Sequence, residues 1–342
     1  MKHEIDLKNF AIRTDLINEN LEKITNKSGI EITNSKKGKI EIEEVSVSKE
    51  SSLKEGEYVS ILFEDVSDSK NRKEVEEVFY EELKKILEKK KLTKDKSCLI
   101  VGLGNRKSTP DALGPYVIDH VIVTRYIKEI STLDENYRET SAYAPGVFGE
   151  SGIETGEIVL KLIECIHPDF LLVVDALKSG NINRVNKVIQ ISDAGIQPGS
   201  GIGNKRKEIS EKTVGIPVLA IGIPTVIEAS VIVSDTIKYL YKKLSYSKEN
   251  ANKSRHKFAR ESDVNYLKYE NKDLTKEEKE KILGMVGALD EEEVQKLIYE
   301  VLEPIGYNLI VTGKEIDFTI KNLSEVISKG INRALHKIQE QE

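Results

Sequence analysis

Two runs that are apolar at every position, Cys98–Val101 and Phe170–Val174, each open into a loop that carries an acid. A strand apolar at every position, rather than at every second one, is buried on both faces, as in parallel sheets covered by helices. The first run passes through Gly102-Leu-Gly104 into a loop with Asn105 and Asp111, and the second ends directly on Asp175. Loops that follow the strands of an open α/β sheet share one edge, where such sheets place their chemistry. Two carboxylates meeting there cannot both ionise cheaply, so one keeps a proton and serves as acid beside an ionised base. The expected reaction is a hydrolysis.

Strand and helix patterns alternate from residue 98 to about 240. Strands are expected at 98–103, 170–175, 187–192 and 217–222, and helices at 110–128, 154–166 and 225–243. Thr109 and Pro110 fit an N-cap and first helical position, which would place Asp111 at the second position of a helix. Residues 29–65 alternate apolar and polar, as half-buried antiparallel strands do. Val75, Val78, Phe79, Leu83, Ile86 and Leu87 then recur at helical spacing. Asp290 and Glu293 form a capping box for a helix over 290–302, followed by a strand at Asn308–Val311 and a helix over 323–338.

The expected architecture is an α/β/α doubly wound, mostly parallel sheet with a smaller N-terminal β region and a helical insertion. Its parts are a leader (1–15), a β-rich region plus helix (16–95), an α/β catalytic core (96–245), a polar insertion (246–289) and a C-terminal helix–strand–helix returning to the core (290–342).

Composition narrows the function. The 342 residues are 39% hydrophobic and 32% charged, with a net charge of -6, which argues against a nucleic-acid-binding surface. The longest apolar stretch, 216–233, contains Pro217, Gly222, Pro224 and Glu228 and reads as strand, turn and helix, not as a membrane span. Lys2, Glu4 and Asp6 interrupt any signal-like start. Cys98 and Cys165 both read as small buried hydrophobes, so the expected compartment is the cytoplasm.

Other chemistries find little support. Gly102-Leu-Gly104 begins a dinucleotide fingerprint, but Lys107 stands where the third glycine belongs. Gly149-Glu-Ser151-Gly-Ile153 lacks the last glycine of a nucleophile elbow. The five histidines are scattered, with no zinc motif, so neither metal nor cofactor is expected. His120 reads as a core or helix-side residue and His167 as a loop residue. The glycines of two loops, Gly146 and Gly149 in one and Gly201 in the other, are candidates to bind extended substrate backbone or supply oxyanion donors. Lys205, Arg206 and Lys207 are candidates to meet an acid in the substrate, with solvated loop charge as the competing reading.

Several segments together resemble the spore germination protease family of endospore-forming bacteria. They are Asn105 with Thr109-Pro-Asp111-Ala-Leu-Gly-Pro115, Gly146-Val-Phe-Gly149 with Gly152-Ile-Glu-Thr155, Asp175-Ala-Leu177, and the run from Pro198 to Lys207. Thr312-Gly-Lys-Glu-Ile-Asp317 resembles that family's late segment, and Arg13-Thr-Asp-Leu16 its processing region. The resemblance implies a hydrogenase-maturation-protease-like core and an endopeptidase of the spore core that degrades small acid-soluble spore proteins. It implies a homotetramer made as a zymogen, a catalytic pair at Asp111 and Asp175, and self-cleavage between Asp15 and Leu16. Ile17 stands where a small residue is expected. The leader carries no net side-chain charge, so its inhibition would be steric or by local contacts.

Three alternatives remain at this point: a nickel-recognising relative, a non-catalytic module that binds small proteins, and a dinucleotide enzyme. The first lacks a histidine after the third strand, where Gly222-Ile-Pro-Thr225 stands.

Overall fold

Strands apolar on both sides need helices on both faces, and this chain supplies them. The computed structural model describes residues 14–132, 134–199, 207–250 and 273–337. Its strands are β1 (Ile30–Lys37), β2 (Ile40–Val47), β3 (Gly56–Leu62), β4 (Cys98–Gly102), β5 (Thr140–Tyr143), β6 (Phe170–Ser179), β7 (Val188–Ser192), β8 (Val218–Glu228) and β9 (Ile310–Val311). The sheet order is β1-β2-β3-β7-β8-β6-β4-β5, with β9 pairing β8 off that path. β4 runs parallel to both β5 and β6. The pairs β1–β2, β2–β3, β3–β7 and β7–β8 are antiparallel. The α/β class expected from the alternating pattern is the one found, and both acid-bearing strands lie in its parallel part.

Successive residues of the central strands feed two cores. Ile100, Leu172 and Val174 join the core that includes Val75, Phe79 and Leu83, Leu113 and Val117, and Leu323, Ile327 and Ile331. These come from the helices Ser69–Lys89, Leu113–Ile118 and Ile316–Leu335. Leu99, Val101, Leu171 and Val173 face the other way and pack with Val159 and Ile163 of the helix Thr155–Ile166. The period of two along each strand thus builds a helix–sheet–helix sandwich.

Some elements differ from their sequence-based bounds. The helix expected over 110–128 is a 3-10 turn (Thr109–Asp111), a helix at Leu113–Ile118 and another at Arg125–Ile130. Val121-Ile-Val-Thr124 is β-branched and a poor helix former. The Thr124 amide instead donates to Thr140 O at 3.1 Å and its hydroxyl to Arg138 O at 2.5 Å. β8 runs past Gly222 to Glu228, where Ile227 and Glu228 pair with β9. The last helix starts at Ile316, seven positions ahead of the expected Leu323, because Ile316 and Ile320 are themselves core residues. Cys98 is buried as expected, but Cys165 is exposed: the helix buries Thr155, Gly156, Val159 and Ile163 and turns Cys165 outward.

A second compact unit comprises, among the described residues, 180–182, 227–250 and 273–311. In it, β9 pairs with the end of β8, and Lys238 of the helix Ala229–Asn250 bridges to Glu291 of the helix Glu291–Leu302 at 2.8 Å. The expected capping box is formed: Asp290 accepts from the Glu293 amide at 2.8 Å, and Glu293 from the Asp290 amide at 2.9 Å.

Candidate active site

β4 ends on glycine because the next helix starts against it. A Cβ on Gly102 would lie 2.3 Å from Gly114 O, and one on Gly114 would lie 2.3 Å from Leu103 O. Only a pair of glycines lets these two backbones touch. Gly104 then takes φ +112, and a Cβ there would lie 2.0 Å from Asp111 O. The turn this allows brings the Asn105 amide to Asp111, where it donates both to the backbone oxygen and to Oδ2, each at 2.9 Å. Asn105 Oδ1 accepts from the Lys107 amide at 2.8 Å, which closes a local turn. From the far side the buried Thr225 hydroxyl donates to Pro110 O at 2.6 Å, and Thr312 donates to Thr225 O at 2.7 Å. Asp111 therefore closes a 3-10 turn ahead of the helix and is not the second residue of a helix.

Asp175 reaches the same place along β6. Gly102 pairs with Val174, and the Leu103 amide donates to Val174 O at 2.8 Å. The next residue is Asp175, only 7% exposed, whose Oδ1 accepts from the Ala176 amide at 2.9 Å. The strap Leu103–Asn105 is thus fastened at one end to the residue before Asp175 and at the other to Asp111. Asp111 is itself one anchor of that strap, and Asp175 is the residue after the other anchor. Asp175 does not end its strand as expected: β6 continues through it to Ser179, so the acid lies within the strand.

The remaining candidates fall into three groups. The loop after β5 joins the same edge through a 2.9 Å ion pair between Lys107 and Glu150, so Asn105, Gly146 and Gly149 lie on loops that meet. Gly146 has φ +72, and Gly149 is exposed with nothing within 4 Å of its Cβ position. Gly201, Lys205 and Arg206 lie outside the described residues. Lys207 is engaged elsewhere: its Nζ pairs with Glu157 at 2.8 Å and its amide donates to Glu154 at 2.6 Å.

Asp15 and Leu16 are docked on the sheet. Leu16 is 1% exposed, and the Asp15 amide donates to Lys178 O at 3.1 Å. Two side chains there escaped the sequence reading, the buried Lys178 of β6 and the buried Gln190 of β7. Their signal was available, as it was for Thr225: each is a polar residue set among apolar neighbours in its strand. Of the histidines, His120 is exposed and bonded to Tyr116 O, while His167 ends its helix in the left-handed region.

Among the described residues no group of three or more His, Cys, Asp and Glu could hold a metal ion. No helix among them is long and apolar enough to cross a membrane.

Comparison with known proteins is consistent along the chain. Residues 6–342 match the family model described as germination protease. The chain is 42% identical to the germination protease of Bacillus subtilis (strain 168), across 100% of this chain and 98% of that one. It is 41% identical to the germination protease of Bacillus cereus (strain AH187), across 98% and 96%. Among solved structures, the nickel–iron hydrogenase maturation protease HycI from Thermococcus kodakarensis KOD1 is 18% identical, with a TM-score of 0.24 over 38% of this chain and 74% of that one.

Proposed function

The chain belongs to the germination protease family and is a peptidase, and on that premise we propose that Asp111 and Asp175 are its catalytic pair. The observation that carries this reading is the strap: Leu103 bonded to the residue before Asp175, and Asn105 bonded to Asp111. The ionised member takes a proton from water as it attacks the peptide carbonyl, and the protonated member gives one to the departing amine. The pair titrates as a unit, so each acid is assigned to the pair and not to one role. The glycine-bearing loop over 146–152, on the same edge, holds extended substrate backbone.

The substrates are small acid-soluble spore proteins, cut during germination in the spore core. The chain is made as a zymogen that self-cleaves between Asp15 and Leu16. It works as a homotetramer, a reading supported by exposed apolar side chains close in sequence, Val301, Ile305, Tyr307, Leu309 and Ile310.

Cleavage of purified small acid-soluble proteins by the Asp111→Asn and Asp175→Asn variants tests the pair. Each is expected to lose at least ~100-fold in rate, the usual scale for a lost acid or base. Full activity in either variant rejects the assignment. N-terminal sequencing of the aged protein checks processing: Leu16 becomes the first residue in the parent chain and not in Asp175→Asn.

A further inference from the structure

We infer that residues 14–17 fill a peptide-binding groove lined by β6 and β7, the strands on either side of β8, and built to take an extended segment with an acid followed by a large apolar residue. The inference stands on the contacts of those residues and on none of the roles given to Asp111 and Asp175.

The groove engages the backbone on both sides of the acid–apolar step. The Asp15 amide donates to Lys178 O at 3.1 Å, and the Lys178 amide donates to Asp15 Oδ2 at 2.9 Å. One residue thus reads both the backbone and the acid of the occupant. Gln190 spans the next step: its Nε2 donates to Asp15 O at 3.1 Å, and its Oε1 accepts from the Ile17 amide at 2.8 Å. A side-chain amide bonded in this way mimics a neighbouring strand and is indifferent to which side chain lies between. The side chain is selected separately, because Leu16 enters an apolar niche of Leu177 and Val188, with Leu62 and Ile196 at its margin.

The occupant satisfies these receptor groups. With the segment in place Gln190 is buried, and the segment's backbone supplies partners for both ends of its amide. A cavity of about 310 Å³ lies against the occupant, bordered by Ile17, Leu53, Tyr58, Gln190 and Glu208, and leaves room for a different side chain after the apolar residue. Lys178 follows Asp175 by three positions on β6, about 10 Å along the strand. The groove is therefore a docking subsite beside the proposed catalytic edge, and the self-cleavage proposed between Asp15 and Leu16 requires that segment to leave it. The chain's own segment occupies it on a tether, and a tethered occupant competes at millimolar effective concentration.

Amide hydrogen exchange on the intact chain tests this, with a capped peptide Thr-Asp-Leu-Ile-Asn-Glu-Asn added at millimolar concentration and mass spectrometry confirming that neither is cut. Displacement is expected to speed exchange at Ile17 at least ~10-fold while Lys178, capped by either occupant, stays protected. A control peptide with Lys and Ser in place of Asp and Leu is expected to do nothing. In the Leu16→Asp variant the vacated groove should bind the labelled peptide ~10-fold more tightly than the parent chain, and adding Gln190→Leu should remove that gain. Unchanged exchange at Ile17, or an equal response to the control peptide, overturns the inference. The exchange result decides even if Leu16→Asp does not fold. Loss of cleavage in the aspartate variants with exchange unchanged would reject the groove alone, and the converse would reject the aspartates alone.

Discussion

Gly104 holds the strap in register, because its φ of +112 and its contact with Asp111 leave no volume for a methyl group. Gly104→Ala should cost about 1–3 kcal/mol in backbone strain. It should also cut kcat/KM by ~100-fold or more through misplacement of the acid. Urea unfolding and peptide cleavage, measured side by side, check both effects. His336 offers a different residue-scale test. Burial, with the charges of Arg138 and Lys94 adding to it, pushes its imidazole down to about 4 from 6.5. Its Nδ1 accepts from the Arg138 amide at 3.1 Å. Above pH 6.5 the ring is neutral folded or unfolded, and stability is full. Below that the unfolded chain takes a proton that the fold refuses, so stability falls until about pH 4. The loss is on the order of 3 kcal/mol. Urea midpoints between pH 7 and 4.5 should drop in the parent chain and drop less in His336→Gln, whose side-chain oxygen can keep the bond to Arg138.

The two long helices Ser69–Lys89 and Ile316–Leu335 meet at Gly330, where an added Cβ would lie 2.3 Å from the Phe79 ring. Helix propensity alone favours Gly330→Ala by up to ~1 kcal/mol. Overpacking against a fully buried ring costs ~1–3 kcal/mol, so the net change should be destabilising. Phe79→Leu in the same chain should recover part of the loss, and a double-mutant cycle in urea measures the coupling. The pattern of Val75, Val78, Phe79, Leu83 and Leu87 in the sequence is enough to place the first of these helices. It says nothing of Gly330, since the need for glycine there is created by a partner about 250 positions away. The helix expected over 110–128 breaks for both reasons: the β-branched run Val121–Thr124 favours it poorly, and the fold pairs Thr124 with Arg138 and Thr140.

At the scale of the molecule, the exposed apolar run from Val301 to Ile310 is the proposed assembly surface. Val301→Asp with Tyr307→Asp should lower the mass seen by analytical ultracentrifugation while far-UV circular dichroism stays unchanged. A parent chain that sediments as a monomer would reject the tetramer reading directly. The sequence by itself determined the α/β class, the apolar strands and the loop that holds Asp111, because burial imprints a period that can be read residue by residue, whereas Asp175, expected at a strand end, lies within β6. Only the tertiary structure decided that one strap links Asp111 to the residue before Asp175, and that Gln190 clasps residues 15 and 17 from 175 and 173 positions away. Periodicity reports whether a side chain is buried. Which distant backbone group it meets there depends on strand order and register, and those belong to the assembled sheet.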